Sequence, residues 1–307
     1  MTLTRPLLCP MRHLCALLAA GVLLALLSST VAAAGDDWMA AIGDATPLSR
    51  LSIPGSHDSC ALREPLAGTA KCQNLGLGDQ LRSGVRFLDI RCKNTGKAFT
   101  IYHGIYDEGM TFAQVLSVAA GFLRSNPTET VIMSIKEENS QSGTAFSTLF
   151  NSYVAGNPAL WYLGSDVPTL GAVRGKIVLF RRFQGSEGID AADWPDDTTF
   201  AHGALDVEDN YKVASADVKW ESVVRHLDAV RSSKPSTLSL TFTSGYVPQL
   251  FGIPSITAVS SRVNSELAKY FDGAKPGRYG IVVMDFVDRA HCGQIITANR
   301  SQPRMSF

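Results

Sequence analysis

Short apolar strings alternate with longer amphipathic stretches along most of this chain. Near-continuous runs such as Val131-Ile132-Met133 and Ile177-Val178-Leu179-Phe180 read as strands buried on both faces, as in a parallel sheet. The pattern predicts eight strands, at residues 49–53, 86–91, 99–102, 130–135, 176–181, 204–207, 237–241 and 280–286. Between them, residues 112–124 carry apolar side chains at Phe112, Val115, Leu116, Ala119 and Leu123, one face of a helix. Thr111 supplies an N-cap there and Asn126-Pro127 a stop. Residues 145–154, 218–232 and 260–271 read the same way. Strands alternating with helices predict an α/β fold, a (β/α)8 TIM-type barrel. The long, Gly/Asp-rich segment 185–199 breaks the alternation, so a distorted or incompletely closed barrel is expected.

The start of the chain is different. Arg5, Arg12 and His13 precede an uninterrupted apolar run of 14 residues, Leu14 to Leu27, and small residues follow up to Ala34. A membrane span needs about 20 residues, so 1–34 reads as a secretory signal peptide and 35–307 as one barrel domain, secreted after cleavage. The 28 Lys+Arg and 28 Asp+Glu become 26 and 28 once Arg5 and Arg12 are removed. That balance offers no electrostatic footprint for nucleic acid.

Cys9 and Cys15 leave with the signal, and Cys60, Cys72, Cys92 and Cys292 remain. An even count in a secreted chain predicts two disulfides, and Cys60–Cys72 with Cys92–Cys292 is the favoured pairing of three. The cysteines form no C-x-x-C pair and no cluster at zinc spacing, so no metal site and no cofactor are expected. Asn299-Arg300-Ser301 is a glycosylation acceptor in a host with that machinery.

In such a barrel, chemistry sits at the C-terminal ends of strands. His57 and Asp58 follow the first predicted strand, within Ile53-Pro54-Gly55-Ser56-His57-Asp58-Ser59, where Pro and Gly make a tight exit. Arg91 ends the second, His103 the third, Lys136 and Glu138 the fourth, Arg182 the fifth, and Asp285 the last. Two imidazoles titrating near neutrality can act as base and acid, and a guanidinium matches phosphate oxygens. Asp89 and Arg91 share a strand face, which suits either a structural pair or a phosphate clamp. First and last barrel strands are neighbours, so Asp285 can orient His57. Lys136, Glu138, Arg182, Asp209 and Tyr211 offer charged partners and a flat aromatic face, a set suited to a polyhydroxylated ring.

Ordered across nearly the whole mature chain, these strings resemble bacterial-type phosphatidylinositol-specific phospholipase C, an X-domain phosphodiesterase. The matching strings include residues 53–59, Leu88-Asp89-Ile90-Arg91, Tyr102-His103-Gly104, Ile132-Met133-Ser134-Ile135-Lys136, Trp194-Pro195-Asp196, Asp209-Asn210-Tyr211 and Val283-Met284-Asp285-Phe286. The resemblance implies a distorted barrel that cleaves phosphatidylinositol to diacylglycerol and inositol 1,2-cyclic phosphate without metal. His57 would be the base, assisted by Asp285. Arg91 would stabilise the phosphoryl charge, and His103, supported by Asp58, would be the acid. Lys136, Glu138, Arg182, Asp209 and Tyr211 would hold inositol. The implied partner is a phosphatidylinositol-containing membrane surface, met transiently by a monomer. Tyr246, Leu250 and Phe251, beyond the seventh strand, are rim candidates for dipping into lipid. Acceptance of glycosyl-phosphatidylinositol anchors would depend on room beside the inositol, bordered by 185–199. Two other readings stand beside this one. They are a metal-dependent glycerophosphodiester or sphingomyelin phosphodiesterase, which Arg91 and the histidine pair disfavour, and a catalytically silent inositol-lipid binding module.

Overall fold

A computed structural model describes residues 35–233 and 235–301; the expected signal peptide, 1–34, lies outside them. In chain order the main elements are β1 (Ser52–Ser56), α1 (Leu77–Ser83), β2 (Phe87–Asn94), β3 (Phe99–His103), β4 (Tyr106–Thr111), α2 (Phe112–Ser125), β5 (Val131–Glu137) and α3 (Thr144–Gly156). There follow β6 (Trp161–Tyr162), α4 (Leu170–Val173), β7 (Ile177–Arg182), β8 (Ile189–Asp190), β9 (Thr198–His202), β10 (Leu205–Asp209) and α5 (Ala216–Ser232). The last are β11 (Leu238–Phe242), β12 (Val247–Pro248), β13 (Pro254–Ser255), α6 (Thr257–Asp272), β14 (Gly280–Met284) and α7 (Arg289–Thr297).

The principal sheet runs β6-β7-β5-β2-β1-β14-β11-β10-β9. Its members from β6 to β10 are mutually parallel, and β9 closes the row antiparallel to β10. Among the described residues no pairing joins β6 to β9, so the barrel is incompletely closed, as the irregular 185–199 segment suggested. The continuous apolar runs are buried throughout: Val131 to Met133 and Ile177 to Phe180 have no exposed surface. Sequence-local caps set the helix starts. Thr111 and Gln114 form a reciprocal capping box at α2, and Ser215 and Asp288 cap α5 and α7 through their side chains.

Three expectations need correction. The predicted third strand, β3, is outside the parallel row: it folds straight back antiparallel to β2 and pairs on with β4. A parallel neighbour would need a crossover of a dozen residues, whereas the turn at Thr95 to Ala98, with Gly96 at φ +83°, leaves none. β5 takes the place beside β2, and the row gains at its edge, beyond β7, the two-residue β6, too short to carry a pattern. Second, β1 begins later than expected, because a 3-10 turn at Leu48–Arg50 uses the first residues. Pro54 and Gly55 therefore lie inside the strand. A Cβ on Gly55 would sit 3.1 Å from Phe87 and 3.3 Å from Ile281, its two flanking strands, so only glycine fits without displacement.

Third, Cys60, Cys72, Cys92 and Cys292 are all buried free thiols, so neither expected disulfide is present. The Cys72 amide bonds the Ala61 carbonyl, but its side chain enters a cluster with Ala61, Ile256, Tyr246 and Phe286. Cys292 packs near Gly84 and is influenced by Arg86, at the opposite end of β2 from Cys92. Six residues of extended strand span roughly 20 Å, against about 7 Å for a bridgeable Cα pair. Asn299 is equally committed: its amide bonds both the N–H and the carbonyl of Ser52.

Candidate active site

The turn leaving β1 is knitted by short-range bonds before it presents any chemistry. The Ser56 hydroxyl donates to Ser59 Oγ at 2.7 Å, the Asp89 amide donates to Ser59 Oγ, and the Ser59 amide donates to the Asp89 carbonyl. Asp58 is held at φ +40°, a left-handed conformation that carries some strain for any residue with a Cβ, though less for aspartate than for most. Such strain concentrates where a side chain must be aimed. Here it directs a buried carboxylate between Arg91 and His103.

His57 has one nitrogen for each of two neighbours. Nδ1 lies 2.8 Å from Asp285 Oδ1, and Nε2 lies 2.8 Å from Arg91 Nη2. A guanidinium can only donate, so Nε2 accepts and Nδ1 carries the proton. That is the tautomer a base needs. The parallel β1–β14 pairing makes this contact possible, since it places Ser56 opposite Met284, one residue before each partner. Burial acts to lower the His57 pKa and Arg91 adds to that, but the Asp285 charge and hydrogen bond outweigh both, leaving it above 6.5.

Arg91 is the electrostatic centre. Its Nη1 lies 3.1 Å from Asp58 Oδ2 and its Nη2 3.2 Å from Asp89 Oδ2. Burial alone would lower its pKa; Asp58 and Asp89 outweigh that and hold the charge firmly. Asp89 is driven the other way, below the usual carboxylate range, because Arg91 and Arg182 overcome its burial. The pairing and clamp readings of Asp89/Arg91 are therefore compatible: the aspartate fixes the guanidinium, whose remaining edge faces the cavity. Register explains what surrounds it. Arg91 pairs with Lys136 across β2–β5, and Lys136 pairs with Arg182 across β5–β7, so three cations line up on one face. Glu138 meets Lys136 at 3.0 Å, and Asp89 lies 3.7 Å from Arg182.

His103 arrives from the β3–β4 hairpin. Its ring stands edge-to-face with His57 at 6.5 Å between centroids. Nδ1 lies 2.6 Å from the Ala70 carbonyl, to which it must donate, and Nε2 lies 3.5 Å from Asp58 Oδ2. Both nitrogens of a protonated ring would thus face oxygen.

One cavity of about 220 Å³ is lined by His57, Arg91, His103, Lys136, Glu138, Arg182, Asp209, Tyr211 and Asp285. Every residue singled out from sequence for catalysis or ring binding lines it, except Asp58, which lies just behind. Burial lowers the Lys136 and Arg182 pKa values and raises that of Asp209. Tyr246, expected on the rim, also lines the cavity and packs 5.9 Å from Tyr211. Gly245 permits this, since a Cβ there would lie 2.8 Å from the Tyr211 carbonyl oxygen. Sequence reasoning assigned no role to Trp194, Asp196 or Ile256. Asp196 and Ile256 line the cavity too, and Trp194 lies under the Arg182 guanidinium at 4.0 Å while its N–H donates to Asp209. Tyr211 O–H donates to Asp196. The signal for these was the Trp194-Pro195-Asp196 string, submerged in a segment that read as irregular.

Leu250 and Phe251 lie outside the cavity at the tip of the β12–β13 hairpin, 76% and 91% exposed, with Phe251 at φ +61°. Two further apolar residues, unforeseen from sequence, are exposed on segments adjoining cavity-lining residues. Ile105 is 79% exposed two residues after His103. Leu66 is 53% exposed on a loop whose Gly68 carbonyl accepts from the Ile256 amide.

Residues 45–183 match the family model for the phosphatidylinositol-specific phospholipase C X domain. The chain is 31% identical over 284 residues to a Staphylococcus aureus 1-phosphatidylinositol phosphodiesterase, covering 84% of this chain and 90% of the relative. A Listeria monocytogenes 1-phosphatidylinositol phosphodiesterase is 29% identical over 286 residues, covering 86% and 84%. A solved S. aureus phosphatidylinositol-specific phospholipase C, from work on modulating its membrane binding, superposes with a TM-score of 0.76 at 30% identity, covering 86% of this chain and 97% of that one. The Listeria enzyme structure gives 0.72 at 25% identity, covering 86% and 98%. With sequence and fold matched over most of each relative, the chain belongs to the phosphatidylinositol-specific phospholipase C family.

Proposed function

We propose that this chain cleaves phosphatidylinositol by base–acid catalysis between His57 and His103, releasing diacylglycerol and inositol 1,2-cyclic phosphate. The phospholipase C activity follows from family membership; the roles of individual residues are our reading. The observation that carries them is the pair of imidazoles facing each other 6.5 Å apart at one cavity, with Arg91 bonded to the first. His57 Nε2 takes the proton of the inositol 2-hydroxyl, and Asp285 stabilises the imidazolium that forms. The alkoxide attacks phosphorus while Arg91 neutralises charge on the non-bridging oxygens. His103 protonates the departing diacylglycerol oxygen, its charged form supported by Asp58. Nucleophile and phosphorus sit on neighbouring ring carbons, so the step incurs little orientational entropy. Lys136, Glu138, Arg182, Asp209 and Tyr211 hold the ring hydroxyls.

The clamp is a fixed guanidinium among carboxylates, and its charge repels a divalent cation beside it, so catalysis proceeds without metal. That favours the phospholipase over a metal-dependent phosphodiesterase. The exposed tip Leu250–Phe251, with the exposed Leu66 and Ile105, docks a monomer transiently on the bilayer. Secretion after cleavage within the first 34 residues rests on the sequence alone. Glycosyl-phosphatidylinositol anchors carry the same phosphodiester, and release of an anchored protein from membranes tests that extension. The primary test is turnover of phosphatidylinositol vesicles in excess EDTA. Full activity is expected; binding without turnover would support the silent module, and loss restored by calcium would refute metal independence.

A further inference from the structure

Cys72 has no part in the reaction described above, yet it touches both halves of it. Its Sγ lies within 4.8 Å of a nitrogen of His57 and an oxygen of Asp285, and within the same distance of His103 and Asp58. Among the described residues, these are the two His/Cys/Asp/Glu groups close enough to share a metal ion, and Cys72 is common to both. We propose that Cys72 Sγ, His57 Nδ1 and the Asp285 carboxylate form an inhibitory site for a thiophilic divalent cation such as zinc.

The donor chemistry fits: thiolate, imidazole and carboxylate are the usual protein ligands of zinc. Tetrahedral bonds of about 2.0–2.3 Å put ligand atoms some 3.3–3.7 Å apart. From the present spacing, Cys72 Sγ would move in by up to roughly 1 Å and the Nδ1–Oδ1 pair, now 2.8 Å apart, would open by about 0.5 Å. Asp285, 1% exposed, has an Oδ2 atom with no hydrogen-bond partner, a buried acceptor that a cation would satisfy. Arg91 faces the other nitrogen of His57, 2.8 Å from Nε2, so it must turn its Nη2 donor away when the ring proton moves there. The second group suits a cation less: Asp58 is already paired with Arg91, and His103 Nδ1 holds the Ala70 carbonyl at 2.6 Å.

Binding releases the Cys72 thiol proton to solvent and moves the single ring proton of His57 from Nδ1 to Nε2, so affinity rises with pH and Nε2 can no longer accept a proton. The ion then occupies the nitrogen through which Asp285 supports the base, and catalysis stops. The enzyme is thus indifferent to chelators yet sensitive to zinc. Sequence spacing concealed the group because its ligands come from three separate segments.

The inhibitory role rests on the base assignment for His57, but occupancy does not, so the test reads both. Zinc is titrated into the purified enzyme with a water-soluble inositol phosphodiester substrate, and cobalt is titrated separately while following sulfur-to-cobalt absorption. Wild type should lose activity, recover it with EDTA, and show the absorption band. Cys72→Ala should keep its metal-free rate, need at least ~10-fold more zinc for inhibition, and show no band. Cys72→Ser guards against a packing defect and should lose the band too. Equal zinc sensitivity in wild type and Cys72→Ala, or a wild type without the sulfur band, overturns the proposal. A band with unchanged turnover removes only the inhibitory role and indicts the assignment of His57 instead.

Discussion

Replacing Asp285 by Asn removes one negative charge 2.8 Å from His57 Nδ1 while keeping the shape of the side chain. Two consequences follow from the geometry. The imidazolium formed as His57 takes the substrate proton loses its counter-charge. With charge centres ~4 Å apart and an effective dielectric of ~20, that interaction is worth roughly 4 kcal/mol. A retained neutral hydrogen bond offsets part of it, so kcat should fall by about 10²–10³. The second consequence separates this reading from simple damage. Burial and Arg91 both act to lower the His57 pKa, and only Asp285, with a smaller contribution from Asp58, raises it above 6.5. Without the Asp285 charge the pKa falls, the base stays unprotonated to lower pH, and the acidic limb of kcat/KM moves to lower pH. The assay is kcat/KM on a water-soluble inositol phosphodiester across about pH 5–9, beside a thermal melt to confirm folding. Because Asp285 Oδ2 has no hydrogen-bond partner, the Asn variant should melt near wild type. A rate within about threefold of wild type with an unmoved acid limb would refute the assignment of Asp285 and His57 as one unit.

His103→Ala should lose about 10²–10⁴ on phosphatidylinositol but recover much of that on a substrate whose leaving group is a nitrophenol, which needs no proton. His57→Ala should recover nothing, and equal behaviour of the two variants would contradict the division of roles. Arg91→Lys keeps a charge but loses the fork that bridges Asp58, Asp89 and the cavity; kcat should drop at least ~10-fold with little change in vesicle binding, as judged by sedimentation. Leu250→Ser with Phe251→Ser removes two exposed apolar groups worth roughly 1.5–3 kcal/mol each when buried in lipid. Vesicle affinity should fall about 100-fold or more while turnover of a soluble substrate is spared, and equal losses on both would count against docking.

The fold and site were legible from sequence to different depths. Seven of the eight predicted strands are in the parallel row because their apolar runs are long and buried on both faces. β6 escaped because two residues carry no periodicity, and β3 was misplaced because its apolar run looks alike whether it crosses over or folds back; Gly96 was the clue. The cavity's charged residues were readable because each follows or ends a strand, where side chains must leave the core. The tautomer of His57 was not, since it depends on which neighbours meet each nitrogen. Likewise, the cysteine count suggested bridges, but pairing depends on side-chain direction, and Cys72 and Cys292 point into separate packed clusters.

Phosphorus NMR of phosphatidylinositol vesicles during turnover is the most direct test of two histidines working across one cavity. A sugar-oxygen attack predicts a five-membered cyclic phosphodiester as the first product, accumulating before any monophosphate. If inositol monophosphate appears from the outset with no cyclic intermediate, water is the nucleophile, and the roles given to His57, Arg91 and His103 are wrong.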